Sequence, residues 1–123
     1  MKQEEKDLLI KDLCARLPYG VKIETPTDCW TSEKGVCELK EIFKGDDELF
    51  RIDNIGALIE YSKPYLFPMS SMTVKQRDSY RFLASSAYTS PVKLIDFFHK
   101  NHIDYRGLIE KGLAIDATNL NIY

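Results

Sequence analysis

Two prolines in the stretch Tyr61 to Thr73 (Y-S-K-P-Y-L-F-P-M-S-S-M-T) constrain this chain more than any other feature. Pro64 and Pro68 each fix their own φ and remove a backbone donor. They also push Lys63 and Phe67 toward extended backbone, so no regular helix runs through the segment. Tyr65, Leu66, Phe67, Met69 and Met72 add apolar bulk that a solvated tether would not carry. The stretch therefore reads as a stiff connector packed against the body of the protein. Thr73 then opens a helix, with Gln76 completing a capping box. The chain before the connector reads as a helix and short strands, and the chain after it as helices.

From Glu4 to Leu17, the residues Leu9, Ile10, Leu13, Cys14 and Leu17 fall on one helical stripe, with Glu5, Lys6, Lys11 and Asp12 mostly outside it. Pro18 and Gly20 stop this helix, and Cys14 is read as a small buried hydrophobe. Tyr19, Val21 and Ile23 alternate with polar residues, the period of a half-buried strand that Thr25-Pro26 ends. The loop from Thr25 to Gly35 holds Trp30, read as a ring closing one end of the core. A second strand is expected over Val36 to Phe43, with Cys37, Leu39 and Phe43 on one face. Glu41 interrupts that face, so the strand bends there or lies at an edge. The turn residues Lys44 to Asp47 lead to a third strand over Glu48 to Ile52. A three-stranded antiparallel meander is the simplest assembly. Asn54 to Ser62 reads as one or two helical turns.

Beyond the connector, a helix over Thr73 to Tyr88 places Tyr80, Leu83, Ala84 and Ala87 on one face. Ser90 and Pro91 have the chemistry of an N-cap and a first helical residue. Their helix runs to about His102 and buries Leu94, Ile95 and Phe98. Asp104 is placed to cap a short helix over Tyr105 to Lys111, which Gly112 ends. The segment Leu113 to Tyr123 carries little charge and can add an edge strand or lie over the core. The whole is expected to be a single α+β domain spanning 1–123: an N-terminal helix on a three-stranded antiparallel sheet, a proline-rich connector, and two to three C-terminal helices.

Composition narrows the function classes. The 123 residues are 44% hydrophobic and 29% charged, the balance of an ordinary globular chain able to bury a core without disulfides or metal. No run of about 18 apolar residues is present, and Met1 to Asp7 lacks the pattern of a signal peptide, so a cytoplasmic protein without membrane association is expected. The formal net charge of -2 removes the simplest argument for general nucleic-acid binding. Cys14, Cys29 and Cys37 contain no C-x-x-C pair and imply neither a disulfide framework nor a zinc knuckle. Cys29 and Cys37 could meet only across a hairpin that sequence alone does not define.

Few residues suggest chemistry. His99 and His102 share a predicted helix at a spacing that suits a metal, but there is no H-E-x-x-H pattern and a third ligand would have to come from Asp96 or farther away. Cys29 with His99 or His102 supplies the residue types of a cysteine hydrolase without the spacing that would join them. Gly35, Gly45 and Gly56 are isolated turn glycines, and Ser70 and Ser71 most simply satisfy backbone groups at a turn. No catalytic residue, cofactor or metal ligand is therefore assigned. Lys93, His99, Lys100, His102, Arg106 and Lys111 cluster around Tyr105, the one place where cations and an aromatic interleave. Tyr105 and Arg106 belong to residue types enriched at interface hot spots, and Lys100 and His102 beside them favour an acidic partner. The competing reading is that Arg106 pairs with a carboxylate of this chain and Tyr105 fills the core.

At K-P-Y-L-F-P-M-S-S-M-T (Lys63 to Thr73) and D-Y-R-G-L-I-E-K-G-L-A (Asp104 to Ala114), with L-P-Y-G-V (Leu17 to Val21) as a third block, the sequence resembles a group of small uncharacterised proteins of gut Bacteroidetes and their prophages or mobile elements. It departs from that group at Phe67, where an arginine is common, and at Val74 to Gln76, where acidic residues would support the helix dipole. The resemblance implies a phage or mobile-element setting in a bacterial cytoplasm and carries no reaction. The expected function is a non-enzymatic, protein-binding accessory or regulatory factor, with Tyr105, Arg106, Lys100 and His102 as partner-binding residues. The alternatives are a small cysteine- or histidine-dependent hydrolase or nuclease, and a weak nucleic-acid binder.

Overall fold

A computed structural model describes residues 2–24, 36–44, 50–52, 57–58, 62–85 and 90–123, and within them the chain is α+β. Helix α1 spans Gln3–Arg16. Its buried residues are Leu9, Asp12, Leu13 and Arg16, spaced i, i+3, i+4 and i+7 on one face. This face is turned from the expected stripe: Cys14 is exposed, and Asp12, expected outside, is fully buried. The rotation follows from an ion pair between Asp12 and Arg16, which neutralises two charges inside the apolar face. A 3₁₀ turn, Leu17–Tyr19, ends at Gly20, whose φ is 71°. A side chain there would be strained, and its Cβ would sit 2.7 Å from Glu38 Oε1.

Strand β1, Lys22–Glu24, pairs antiparallel with β2, Val36–Glu38. Strands β3 (Ile42–Lys44), β4 (Phe50–Ile52) and β5 (Ala57–Leu58) form a separate antiparallel sheet in that order. The expected meander is thus divided, because the continuous strand over Val36 to Phe43 breaks in its middle. Leu39 stays buried and its N–H donates to Val21, while Lys40 and Glu41 are exposed. Ala57 and Leu58, expected in helical turns, are a strand on β4. Two apolar residues carry too little periodicity to separate those states. The expectations for Cys29, Trp30, Gly35, Gly45 and Gly56 lie outside the described residues.

The proline stretch is the centre of a third sheet. Strand β6, Tyr65–Pro68, pairs in parallel with β7, Ile103–Asp104, on one side and β8, Ile115–Asp116, on the other. Phe67 donates to the His102 carbonyl, whereas the carbonyls of Pro64 and Leu66 accept from Ile115 and Ala117. The side of the chain at which Pro68 lacks a donor faces β8, where the pairing has already ended at Leu66 and Asp116. Both prolines therefore bracket the strand without interrupting its ladder. Pro64 also bridges Ile23, tying β6 to β1. Leu66 is fully buried and joins Leu9, Leu13, Val21, Ile23 and Leu108 in the main core.

A 3₁₀ turn at Met69–Ser71 leads to α2, Val74–Ser85, and α3 spans Pro91–Lys100. The capping box is complete: the Thr73 N–H donates to Gln76 Oε1 at 2.9 Å, and the Gln76 N–H to Thr73 Oγ1 at 3.1 Å. Ser90 caps α3 through the Val92 N–H, with Pro91 at the first position. Tyr80 of α2 lies against Phe98 of α3 at 5.8 Å, but no residue of α2 is buried and Ala84 is exposed. His102 does not extend α3; at φ 55° it turns the chain into β7.

Asp104 accepts from the N–H groups of Leu108 and Ile109, as a cap would, yet the expected helix over Tyr105 to Lys111 is reduced to one turn. Gly107, at φ 74°, interrupts it. That turn closes on Gly112 with the paired bonds of a Schellman motif, Leu113 N–H to Leu108 and Gly112 N–H to Ile109.

Candidate functional site

Asp12 and Arg16, one turn apart on α1, anchor a buried charge network beneath α3. Arg16 Nε donates to Asp12 Oδ2 at 2.8 Å, and its Nη2 to the Ile103 carbonyl at 2.6 Å. Arg106 Nε lies 3.1 Å from Asp12 Oδ1, close enough for an ion pair, although neither atom makes a directed hydrogen bond among the described residues. One carboxylate thus serves two guanidinium groups, and Arg16 Nη1 has no partner among the described residues. Both guanidinium groups lie near the Tyr105 ring, 5.4 Å away for Arg16 and 5.0 Å for Arg106.

The Tyr105 hydroxyl accepts from Arg106 Nη2 at 2.9 Å and lies 2.8 Å from His99 Nε2. Burial first, and the positive charge of Arg16 second, hold the His99 imidazole below its ordinary pKa, so it is neutral at pH 7. In the Nδ1–H tautomer its Nε2 accepts the phenol hydrogen. Tyr19 lies at a tilt against His99, ring centroids 5.5 Å apart, and donates to Asp96 Oδ1 at 2.8 Å. That bond to a carboxylate raises the Tyr19 pKa.

These contacts decide between the two readings of Tyr105 and Arg106. Both are half-buried and engaged within the chain, and Asp12 is the carboxylate with which Arg106 pairs. The contacts are those of the competing reading for Arg106, which pairs with a carboxylate of this chain, whereas Tyr105 is half-buried rather than filling the core. Arg106→Ala is expected to lower stability by about 1–3 kcal/mol, since it strips a partner from a fully buried carboxylate. Chemical denaturation monitored by circular dichroism checks this.

His102 is separate from the network. Its ring stacks on Tyr123 at a centroid distance of 3.8 Å, and its Nδ1 is buried without a hydrogen-bond partner among the described residues. The Tyr123 hydroxyl accepts from the Lys22 N–H at 2.8 Å and donates to the Tyr65 carbonyl at 2.7 Å, clasping β1 to β6. Although the Tyr123 ring has an exposed edge, desolvation around its hydroxyl pushes that pKa up to about 12. Burial, helped by Arg16 and Lys22, lowers the His102 pKa to about 4. Its folded value lies below the unfolded one, so the associated stability is present above pH ~6.5 and is lost as pH falls toward ~4. Between pH 7 and 5 we expect a loss of about 1–2 kcal/mol, with a shallower slope in His102→Phe. Equilibrium unfolding at stepped pH measures it; equal slopes in both proteins would be the contrary result.

His99 and His102 thus serve different contacts, and no group of three His, Cys, Asp or Glu side chains among the described residues is placed to hold a metal. A pairing of Cys29 with either histidine lies outside the described residues. Lys100, the remaining expected partner-binding residue, is exposed on α3.

Lys100 borders one of two adjoining clefts. An open cleft of about 380 Å³ is lined by Tyr19, Lys93, Asp96, Phe97 and Lys100. A second, of about 490 Å³, is lined by Asp78, Ser79, Phe82 and Leu83 of α2 together with Phe97. Phe97 is their common wall. Phe82 is 68% exposed and Val74 78%. Residues Asp78 and Phe82, like Ser79 and Leu83, are one helical turn apart, which is why α2 presents them together.

No family model, curated protein or solved structure matches this chain. No helix among the described residues is long and apolar enough to cross a membrane. Sequence reasoning missed Asp12, Arg16, Tyr19 and Phe82. An i, i+4 acid-base pair on either side of Leu13 was the available signal for the first two. For Phe82, the signal was an aromatic outside the expected apolar face.

Proposed function

We propose that this protein is a non-enzymatic binding factor that engages a protein partner through the face formed by α2 and α3. The observation that carries the reading is that α2 buries none of its residues yet holds Phe82 well out in solvent beside a cleft that it walls with Leu83 and Phe97. Exposed apolar groups collected in one place mark interaction surfaces, whereas isolated ones do not. The neutral His99, held by Tyr105 within a buried network, has the character of a structural group rather than an accessible base. A phage or mobile-element setting in a bacterial cytoplasm, as an accessory or regulatory factor, is supported by the resemblance of the Lys63 to Thr73 and Asp104 to Ala114 blocks.

Phe82→Asp tests the reading because the side chain is too exposed to matter for folding. The melting temperature is expected to be nearly unchanged. Protein captured from a bacterial host lysate by the parent chain is expected to be lost from the variant. Identical captured sets, compared by mass spectrometry, would sink the proposal.

A further inference from the structure

Resting on that reading, we infer that the α2–α3 face takes an acidic protein segment with an apolar anchor: the anchor against Phe82, Leu83 and Phe97, the carboxylates over Lys93 and Lys100. The two clefts share Phe97, so one short segment can occupy both. Their characters differ. The first is walled mainly by apolar side chains, and the second is bordered by two exposed lysines on the same side of α3.

Charge selects the occupant. Within α2 and α3, Lys75, Arg77, Arg81, Lys93 and Lys100 stand against Asp78 and Asp96, all exposed, although the whole chain carries a net charge of -2. Asp96 accepts the Tyr19 hydroxyl, and no described carboxylate makes an ion pair with Lys93 or Lys100. Two copies of this face would meet with like charge. A nucleic-acid strand would bring phosphates toward Asp78 and Asp96, one in each cleft, whereas a peptide can place its carboxylates over the lysines and an uncharged side chain between.

A random peptide library displayed on phage, selected against the full chain, tests the inference. The enriched peptides are expected to carry an excess of Asp and Glu around a Leu, Phe or Trp. A synthetic copy of one should bind about tenfold or more weakly to Phe82→Asp and to the pair Lys93→Glu with Lys100→Glu. The pair Lys93→Arg with Lys100→Arg should retain binding, and melting curves should show all the variants folded. Enriched peptides that need Phe82 but show no acidic excess would overturn the inference while leaving the binding face in place. Peptides indifferent to every substitution, or no enrichment, would overturn both. An oligo-dT strand that binds with steep salt dependence and is lost on Lys93→Glu with Lys100→Glu would assign the face to nucleic acid instead. A dimer in sedimentation that Phe82→Asp dissociates would assign it to a second copy.

Discussion

Asp12→Ala is expected to lower the unfolding free energy by about 3–5 kcal/mol, the cost of leaving a buried charge without its counterion. The structure makes this site more severe than an ordinary helix ion pair, because Asp12 and Arg16 are both fully buried and Arg106 depends on the same carboxylate. Removing it leaves two guanidinium groups around Tyr105, one of them already with an unpartnered Nη1. An exposed i, i+4 pair would contribute only about 0.3–0.5 kcal/mol. Urea unfolding separates these outcomes directly. A second comparison tests the cause: Asp12→Ala combined with Arg16→Met should recover part of the loss, since the deeper unpaired cation is gone as well. A change below ~1 kcal/mol in the single variant would show that water reaches the network.

Leu66→Ala should cost about 2–5 kcal/mol, the range for emptying a buried leucine site. Leu66 has no accessible surface and lies in the central strand of the parallel sheet, touching a core built from α1, β1 and the turn at Leu108. Strands on both sides and the bridge to Ile23 restrain its backbone, so the site has little freedom to collapse. Denaturant midpoints with an unchanged slope would give the magnitude. A loss under ~1 kcal/mol would mean that the strand relaxes into the space.

The sequence discloses local rules with short reach. Thr73 with Gln76, Ser90 with Pro91, and Gly112 as a terminator each depend on neighbours within a few residues, and each is found in place. The alternation of Val21 and Ile23 likewise identifies two fully buried side chains. The α+β class follows from such pieces. The failures have one origin, which is that distant partners decide the outcome. Periodicity assigns a charge to the outside of a helix, but Asp12 is held inside by Arg16, one turn on, and by Arg106, far along the chain. Pro64 and Pro68 indicate extended backbone, and nothing local reveals that Ile103 and Ile115 make it a central strand. For the same reason Tyr105 and Arg106 are equally compatible with core and surface until the turn at Gly107 is known.

Because β6 lies between β7 and β8, both of its hydrogen-bonding neighbours emerge later during synthesis than it does. The nascent chain must carry Tyr65, Leu66 and Phe67 unpaired past both helices before either edge can be satisfied. Non-local parallel pairing of this kind is slow and leaves strand edges open to other chains in the interval. Pro64 and Pro68 shorten the segment able to join such cross-β contacts and act as gatekeepers on either side of it. The two residues that specify extended backbone in the finished protein thereby also limit the length of strand that the nascent chain can offer to another chain before β7 and β8 are made.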